Sequence, residues 1–417
     1  MKKLFLFLVM VSLFAFAGHT QLLKKIGNKI KTKSEQRADQ RTDQAIDKGL
    51  DKTEDATKKK DGGTSDNSTA DTHSTTTNSA PVVDTPVSGT ATPAPLKVYN
   101  NYDFVPGDKI LFEDNFTDDQ DGEFPAHWEL KAGQAVLNKI NGEEALHLTD
   151  GNYARVFPRM KTSTYLTDPY TIEYDYYFAP GAYQLIVMMK GFDKEAGYER
   201  ETPVGIGNTE VYFNGNWGGV SLNKIYSAAL AENFESKWHH VAIAVKNHQL
   251  KVYVDQYRVL VVPDTKEDYT SIEFAGIGNE ASPLVFKNVR IAAGGYMNMI
   301  GKKFTESKIV THGINFDIDK ATIKPESMGT LNMIVQVMKD NPELKFEVDG
   351  HTDNSGTAAH NLTLSQQRAE AVKAQLISMG IDASRLTSKG FGQTKPMNDN
   401  TTLEGKANNR RVEFVKQ

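Results

Sequence analysis

Alternating polar and apolar positions dominate the middle of the chain. TIEYDYYF at 171–178 alternates, and in HQLKVYVDQYRVL at 248–260 Leu250, Val252 and Val254 share one face, with Tyr257 and Val259 resuming after a turn near Asp255. A period of two marks strands, and the break at Asp255 predicts a hairpin over a core. Segments of this kind, separated by turn residues, run through 98–297 and predict an all-β jelly-roll sandwich. From 302 to 417 strand and helix patterns alternate instead. KIVTHGINFD reads as extended, KPESMGTLNMIVQVMKD as helical, LKFEVDGHTD as extended, LSQQRAEAVKAQLISMG as helical, and RLTSKGFG and NNRRVEFVK as extended. Pro325 stands at a helix start, Gly380 follows the second helix as a cap, and Ala369, Val372, Leu376 and Met379 form its buried stripe. The order β-α-β-α-β-β predicts a compact α/β sandwich.

The first hundred residues follow neither pattern. Residues 1–17 combine Lys2 and Lys3, an apolar stretch over 4–14, and small residues at Ala15 and Ala17, which is the layout of an export signal. The apolar stretch falls short of the roughly 20 residues that span a bilayer, so a cleaved signal is expected rather than an anchor. Residues 18–60 are charged, with Leu23, Ile26 and Ile30 at helical spacing among lysines, and predict a solvated, partly helical tether. Residues 61–97 are rich in Ser, Thr, Asp, Gly and Pro, a composition that cannot offset the entropy of ordering, and predict a disordered linker.

Composition narrows the function. A chain of 417 residues, 39% hydrophobic, holds two ordinary domains plus non-globular segments. A formal net charge of −5 gives no basic excess for nucleic acid. With no cysteine, the chain has no disulfide, thiolate nucleophile, cysteine-ligated metal or lipid-modified cysteine.

The candidate chemistry lies in the C-terminal region. Asp353 falls just past a predicted strand, and Arg368 is placed in the first turn of the next helix, with Ser365 as its cap. Side by side, a carboxylate and a guanidinium complement a zwitterion: the carboxylate takes an ammonium, and the guanidinium fork takes a carboxylate through two parallel bonds. The alternative is a surface ion pair without a ligand. His351 is the histidine beside Asp353, and no serine or cysteine is placed to act with it, so it reads as structural and no catalytic residue is expected.

The residues around this pair form a series. Asn315-Phe316-Asp317, Gly350-His351-Thr352-Asp353, Asn361 to Ala369, Gly390-Phe391-Gly392 and Asn409-Arg410-Arg411-Val412 together resemble the C-terminal domain of the OmpA family over 305–417. The resemblance implies non-covalent binding to peptidoglycan, with the side-chain terminus of diaminopimelate in the stem peptide as the zwitterion and Asp353 and Arg368 as its main contacts. It also implies that Phe316, Asp317, Thr352, Asn361, Leu364 and Arg411 line or brace the site, Asn361 by holding the loop. Adjacent strand residues face opposite ways, so only one of Arg410 and Arg411 can face the pocket, and Arg411 is the expected one. The implied location is the periplasm or outer membrane of a Gram-negative bacterium, linking wall to outer membrane. Since no barrel is predicted, association with the outer membrane has to run through the N-terminal segment or a partner.

The middle region resembles laminin G-like and concanavalin-like sandwiches in Trp238 to Ile243 with Leu250 to Asp255, and in Leu111 to Phe116 with Pro125 and Trp128 downstream. Such a domain implies a glycan or protein ligand. A glycosidase of this type needs carboxylates repeated along one strand; Glu173 and Asp175 begin that pattern, but Tyr177 and Phe178 stand where the third belongs. The pair reads as the polar face of an alternating strand, which leaves a glycan-active enzyme or a surface adhesin as alternative functions. Asp118, Asp119, Asp121 and Glu123 fit no complete calcium loop, and His239 and His240 point to opposite faces, so neither a metal nor a cofactor is expected. Tyr212, Trp217, Gly215, Gly218 and Gly219 fit either a sugar platform or core packing.

Overall fold

The computed structural model describes residues 102–149, 153–193, 197–215, 221–232, 234–295 and 303–417. The expected export signal, charged tether and linker lie outside the described residues. No helix among the described residues is long and apolar enough to cross a membrane.

The sandwich begins with β1 (Lys109–Asp114), β2 (Trp128–Ala132), β3 (Ala135–Ile140), β4 (Glu143–Leu148) and β5 (Ala154–Pro158). It continues through β6 (Tyr170–Phe178), β7 (Leu185–Asp193), β8 (Tyr198–Ile206), β9 (Glu210–Asn214), β10 (Ser221–Ile225) and the short helix α1 (Ala228–Ala231). It ends with β11 (Trp238–Lys246), β12 (Gln249–Val254), β13 (Tyr257–Val262), β14 (Tyr269–Gly276) and β15 (Leu284–Ala293). An eight-stranded sheet, ordered β13-β12-β11-β6-β15-β4-β3 with β1 also on β15, faces a seven-stranded sheet ordered β10-β9-β8-β7-β14-β5-β2. Trp128 is fully buried between them, its ring 5.5 Å from that of Phe112, 5.7 Å from Phe274 and 5.6 Å from Phe286. Its indole N–H needs a partner inside that core and finds Asp114 Oδ2 at 3.0 Å. The hairpin at 248–260 forms, with Asp255 and Gln256 both at positive φ, as a two-residue turn between twisted strands requires.

In the C-terminal region β16 (Lys308–Thr311) leads through a 3-10 turn at Pro325–Ser327 into α2 (Met328–Asp340). β17 (Phe346–His351), α3 (Ala358–Ser378), β18 (Leu386–Gly392), α4 (Leu403–Asn409) and β19 (Val412–Lys416) follow. The sheet order is β16-β19-β17-β18, with β17 and β18 parallel. This is the expected α/β arrangement with two local differences. A short helix, α4, stands where Asn408 and Asn409 were read as extended; Thr402 caps it by accepting from Gly405 N at 3.0 Å. Helix α3 starts at Ala358, capped by Thr357, rather than near Ser365. Ser365 is fully buried in mid-helix, and Arg368 stands beyond the first turn.

Glu173 and Asp175 do share the polar face of their strand, opposite the core residues Ile172, Tyr174 and Tyr176, but that face is covered. Every residue of β6 is buried, because β11 and β15 flank it, the sandwich core covers one face and the C-terminal domain covers the other. The two domains share apolar packing: Tyr102, Phe104 and Val105 lie with Ala242, Ala244 and Tyr253 of the sandwich and with Met328, Leu331 and Phe414 of the C-terminal domain in one cluster. Asn408 extends the contact by bonding both main-chain groups of Ile110, accepting from its N–H at 3.0 Å and donating to its carbonyl at 2.9 Å. Gly329 marks the tightest point, since a Cβ there would lie 1.8 Å from the Phe104 carbonyl oxygen.

Gly329→Ala tests this packing because two effects oppose. Helix propensity alone favours alanine by about 1 kcal/mol, whereas overpacking against Phe104 costs about 1–3 kcal/mol. Urea unfolding is expected to show net destabilisation; a more stable variant would mean that Phe104 does not lie against α2.

Candidate binding site

The site sits where β17, the start of α3 and the loop before α2 converge. Residues 316–323 fold into a tight loop, closed by a bridge between Phe316 and Ile323 and by Asp317 N donating to Thr322 O at 3.1 Å. Its carbonyls point at Arg368, whose Nε donates to Lys320 O at 2.9 Å and whose Nη2 donates to Asp317 O at 3.4 Å. The guanidinium lies over the Phe316 ring, 4.9 Å from its centre. Phe316 thus meets Arg368 through its side chain and Asp317 through its main chain.

Asp353 is held in the turn after β17. Its Oδ1 accepts from Ser355 N at 2.9 Å, and its Oδ2 accepts from Arg410 Nη1 at 2.5 Å. Burial pushes the Asp353 carboxyl up, but the Ser355 amide and Arg410 outweigh it and hold it below the usual carboxylate range, so it is ionised at neutral pH. Arg368 feels the Asp353 charge, yet the ion-pair partner of Asp353 is Arg410.

The remaining residues brace this arrangement. Asn361 Nδ2 donates to Asp353 O at 3.1 Å and to Gln393 Oε1 at 2.7 Å, tying the turn to the end of β18. Thr352 Oγ1 donates to Asp353 O at 2.8 Å, and Thr352 N donates to Gly392 O at 3.0 Å. Leu364 is buried. Ser365 bolts helix to sheet: its hydroxyl accepts from Gly392 N at 2.8 Å and donates to Leu362 O at 2.9 Å. Gly390 permits that approach, because a Cβ there would lie 2.3 Å from Gln366 N. His351 stacks on Phe391, and burial together with the nearby Arg411 lowers its pKa to about 4, so it is neutral.

The assignment of the two arginines reverses the expectation. Arg411 is buried, with Nε donating to Glu413 Oε1 at 2.7 Å and Nη2 donating to Lys395 O at 3.1 Å, on the side away from Asp353. Arg410 faces Asp353. The two do point opposite ways, but Arg410 caps α4 instead of lying in a strand, so parity counted from an assumed strand did not locate the pocket.

A charged layer continues from Arg410 beneath the C-terminal domain. Four carboxylates, Glu113, Glu173, Asp175 and Glu326, meet four cations, His240, Arg290, Lys324 and Arg410. Arg290 also donates to His312 O and Asn315 Oδ1, each at 3.1 Å, so it joins the sandwich to the segment leading to Phe316. Burial alone would lower the His240 pKa, but the hydrogen bond to Asp175 and the Glu173 carboxylate 3.5 Å from Nε2 outweigh it and raise the value to about 10. Glu173 and Asp175 are covered by this layer and reach no open cleft.

Elsewhere in the sandwich, Asp119 turns inward, and its ligand atom comes within 4.8 Å of those of Asp114 and His127. Asp114 already accepts from Phe116 N at 2.8 Å and from the Trp128 indole, which accounts for its position. His239 bonds Asp255 and stacks on Phe234, on the face opposite His240. Trp217, Gly218 and Gly219 lie outside the described residues. A cleft of about 310 Å³ is lined by Tyr153, Tyr183, Gln184, Asn208 and Glu210 among others.

A mixed α/β domain with a braced carboxylate and a guanidinium at one end of its sheet is thus the class of site present. Residues 315–410 match the OmpA family, so the chain carries an OmpA-family domain. Probable lipoprotein YiaD of Escherichia coli is 44% identical over 104 residues, covering 25% of this chain and 48% of that protein. Outer membrane porin F of Pseudomonas fluorescens is 44% identical over 100 residues, covering 24% of this chain and 31% of that protein. Peptidoglycan-binding protein ArfA of Mycobacterium bovis is 37% identical over 107 residues, covering 25% of this chain and 33% of that protein. The chain therefore spans about half or less of the length of these curated relatives.

The His240 pKa sets a pH dependence. A folded value raised from 6.5 to about 10 means that protonated His240 contributes its full stability below about pH 6.5 and loses it as pH rises towards 10. The difference in urea midpoint between the wild type and His240→Gln is expected to shrink over that window. A difference independent of pH would contradict a charged His240 in the layer.

Proposed function

We propose that this protein is an exported envelope protein that binds peptidoglycan non-covalently through its C-terminal domain, recognising the zwitterionic end of the diaminopimelate side chain and linking wall to outer membrane. The observation that carries this reading is that the ionised Asp353 carboxylate, held in the turn after β17, stands close enough to the Arg368 guanidinium, held on the 316–323 loop, for the two charges to interact. Asp353 takes the ligand ammonium. Arg368 commits Nε and Nη2 to main-chain carbonyls, which fixes its plane and leaves Nη1 for the ligand carboxylate. The similarity to the peptidoglycan-binding protein ArfA and the match to the OmpA family support the ligand class.

The function is binding rather than catalysis. His351 is neutral, stacked and enclosed, while Glu173 and Asp175 are tied up in ion pairs with Arg290 and His240 beneath the C-terminal domain. The sandwich is free to make a second contact, to glycan or protein, at the cleft beside Tyr183. In this reading the protein works in the periplasm or at the outer membrane of a Gram-negative cell, and residues 18–60 or a partner supply the membrane association.

Co-sedimentation of the full chain with diaminopimelate-type sacculi tests the proposal. Asp353→Ala and Arg368→Ala, each checked for folding by circular dichroism, are expected to weaken binding about tenfold or more, the scale of a lost charge-assisted hydrogen bond. Wild-type protein that stays in the supernatant, or two variants that bind as it does, would contradict the proposal.

A further inference from the structure

Glu113 belongs to the sandwich, yet it holds the cation that touches Asp353. Its Oε1 accepts from Arg290 Nε at 2.8 Å and Nη2 at 2.5 Å, while its Oε2 accepts from Arg410 Nη2. The other arm of the Arg410 fork, Nη1, donates to Asp353 Oδ2. One guanidinium therefore bridges a carboxylate of the pocket and a carboxylate of the other domain. Glu113 is enclosed, with 14% of its side chain exposed, whereas Arg410 has 41% exposed and lies at the edge of the site.

We propose that Glu113 is a positioning residue for ligand binding at Asp353, acting through Arg410; this rests on the reading of Asp353 as the ammonium contact. With Nη2 held by Glu113, Arg410 reaches Asp353 through a single nitrogen. The carboxylate offers about four lone-pair sites, of which Ser355, through its amide and its nearby hydroxyl, and Arg410 take at most three, so room remains for an ammonium. Remove the Glu113 charge and the fork is free to swing onto both oxygens of Asp353 in the bidentate geometry that arginine and carboxylate prefer. The ligand ammonium then competes with a tighter internal pair and meets a more positive rim. Docking of the sandwich thereby sets how open the wall-binding carboxylate is.

The test is a binding isotherm on diaminopimelate-type sacculi for the full-length wild type, Glu113→Gln, Arg410→Gln and the double variant. Glu113→Gln is expected to weaken binding about two- to fivefold, the range of a partly exposed charge pair, and to have no further effect when Arg410 is already glutamine. Equal binding by the wild type and Glu113→Gln would overturn the proposal. So would an undiminished loss in the Arg410→Gln background, which would assign the effect to domain packing. If Glu113→Gln does not fold, Arg410→Lys replaces it: a lysine keeps the charge but has one nitrogen in place of the planar fork, so it cannot give Glu113 and Asp353 a separate nitrogen each. It is expected to weaken binding to a similar extent, and wild-type affinity would overturn the proposal. Should Asp353→Ala bind as the wild type does, the reading of the site itself fails, whatever Glu113 does.

Discussion

Burying charge is costly, and the joint between the two domains is organised around meeting that cost. Glu113, Glu173 and Asp175 rise from the outer face of the larger sheet into a space closed by the C-terminal domain. Left unpaired, each would oppose docking by several kcal/mol. They are matched by His240 and Arg290 from the same sheet and by Lys324 and Arg410 from the other domain, so neither surface is neutral until the two meet. Apolar packing of Tyr102 and Phe104 against α2 supplies attraction, and the charge pattern supplies register.

That register reaches the candidate site. Arg410 is the last member of the charged layer and the first neighbour of Asp353. Arg290 grips Asn315, and the loop that follows carries Phe316 and the carbonyls that orient Arg368. Within the C-terminal domain, Ser365, Asn361 and Gly390 lock helix, turn and strand so closely that Asp353 has little freedom. A preorganised pair of opposite charges suits a small zwitterion, because the ligand does not have to order the groups that hold it.

Much of this was legible in the chain. Alternation located the hairpin at 248–260, and the motif series placed Asp353, Arg368 and their bracing residues at one end of an α/β domain. The sequence failed where the structure depends on contacts distant along the chain. Glu113 sits in an alternating strand nearly 300 residues from Arg410, and nothing local marks it as part of a pocket. The cover over Glu173 and Asp175 was likewise hidden, because alternation reports which side a residue takes, not what covers that side. The arginine assignment turned on α4, seven residues ending in two asparagines, whose weak helix propensity hid it; tertiary contacts such as Asn408 to Ile110 hold it in place.

The most direct measurement is isothermal titration of the full chain with a soluble stem peptide carrying diaminopimelate and with the same peptide carrying lysine at that position. Lysine keeps the ammonium for Asp353 but lacks the carboxylate for Arg368, so the account predicts clear binding of the first peptide and weaker binding of the second, with the difference lost in Arg368→Ala. Equal affinity for both peptides, or no binding of either, would contradict it.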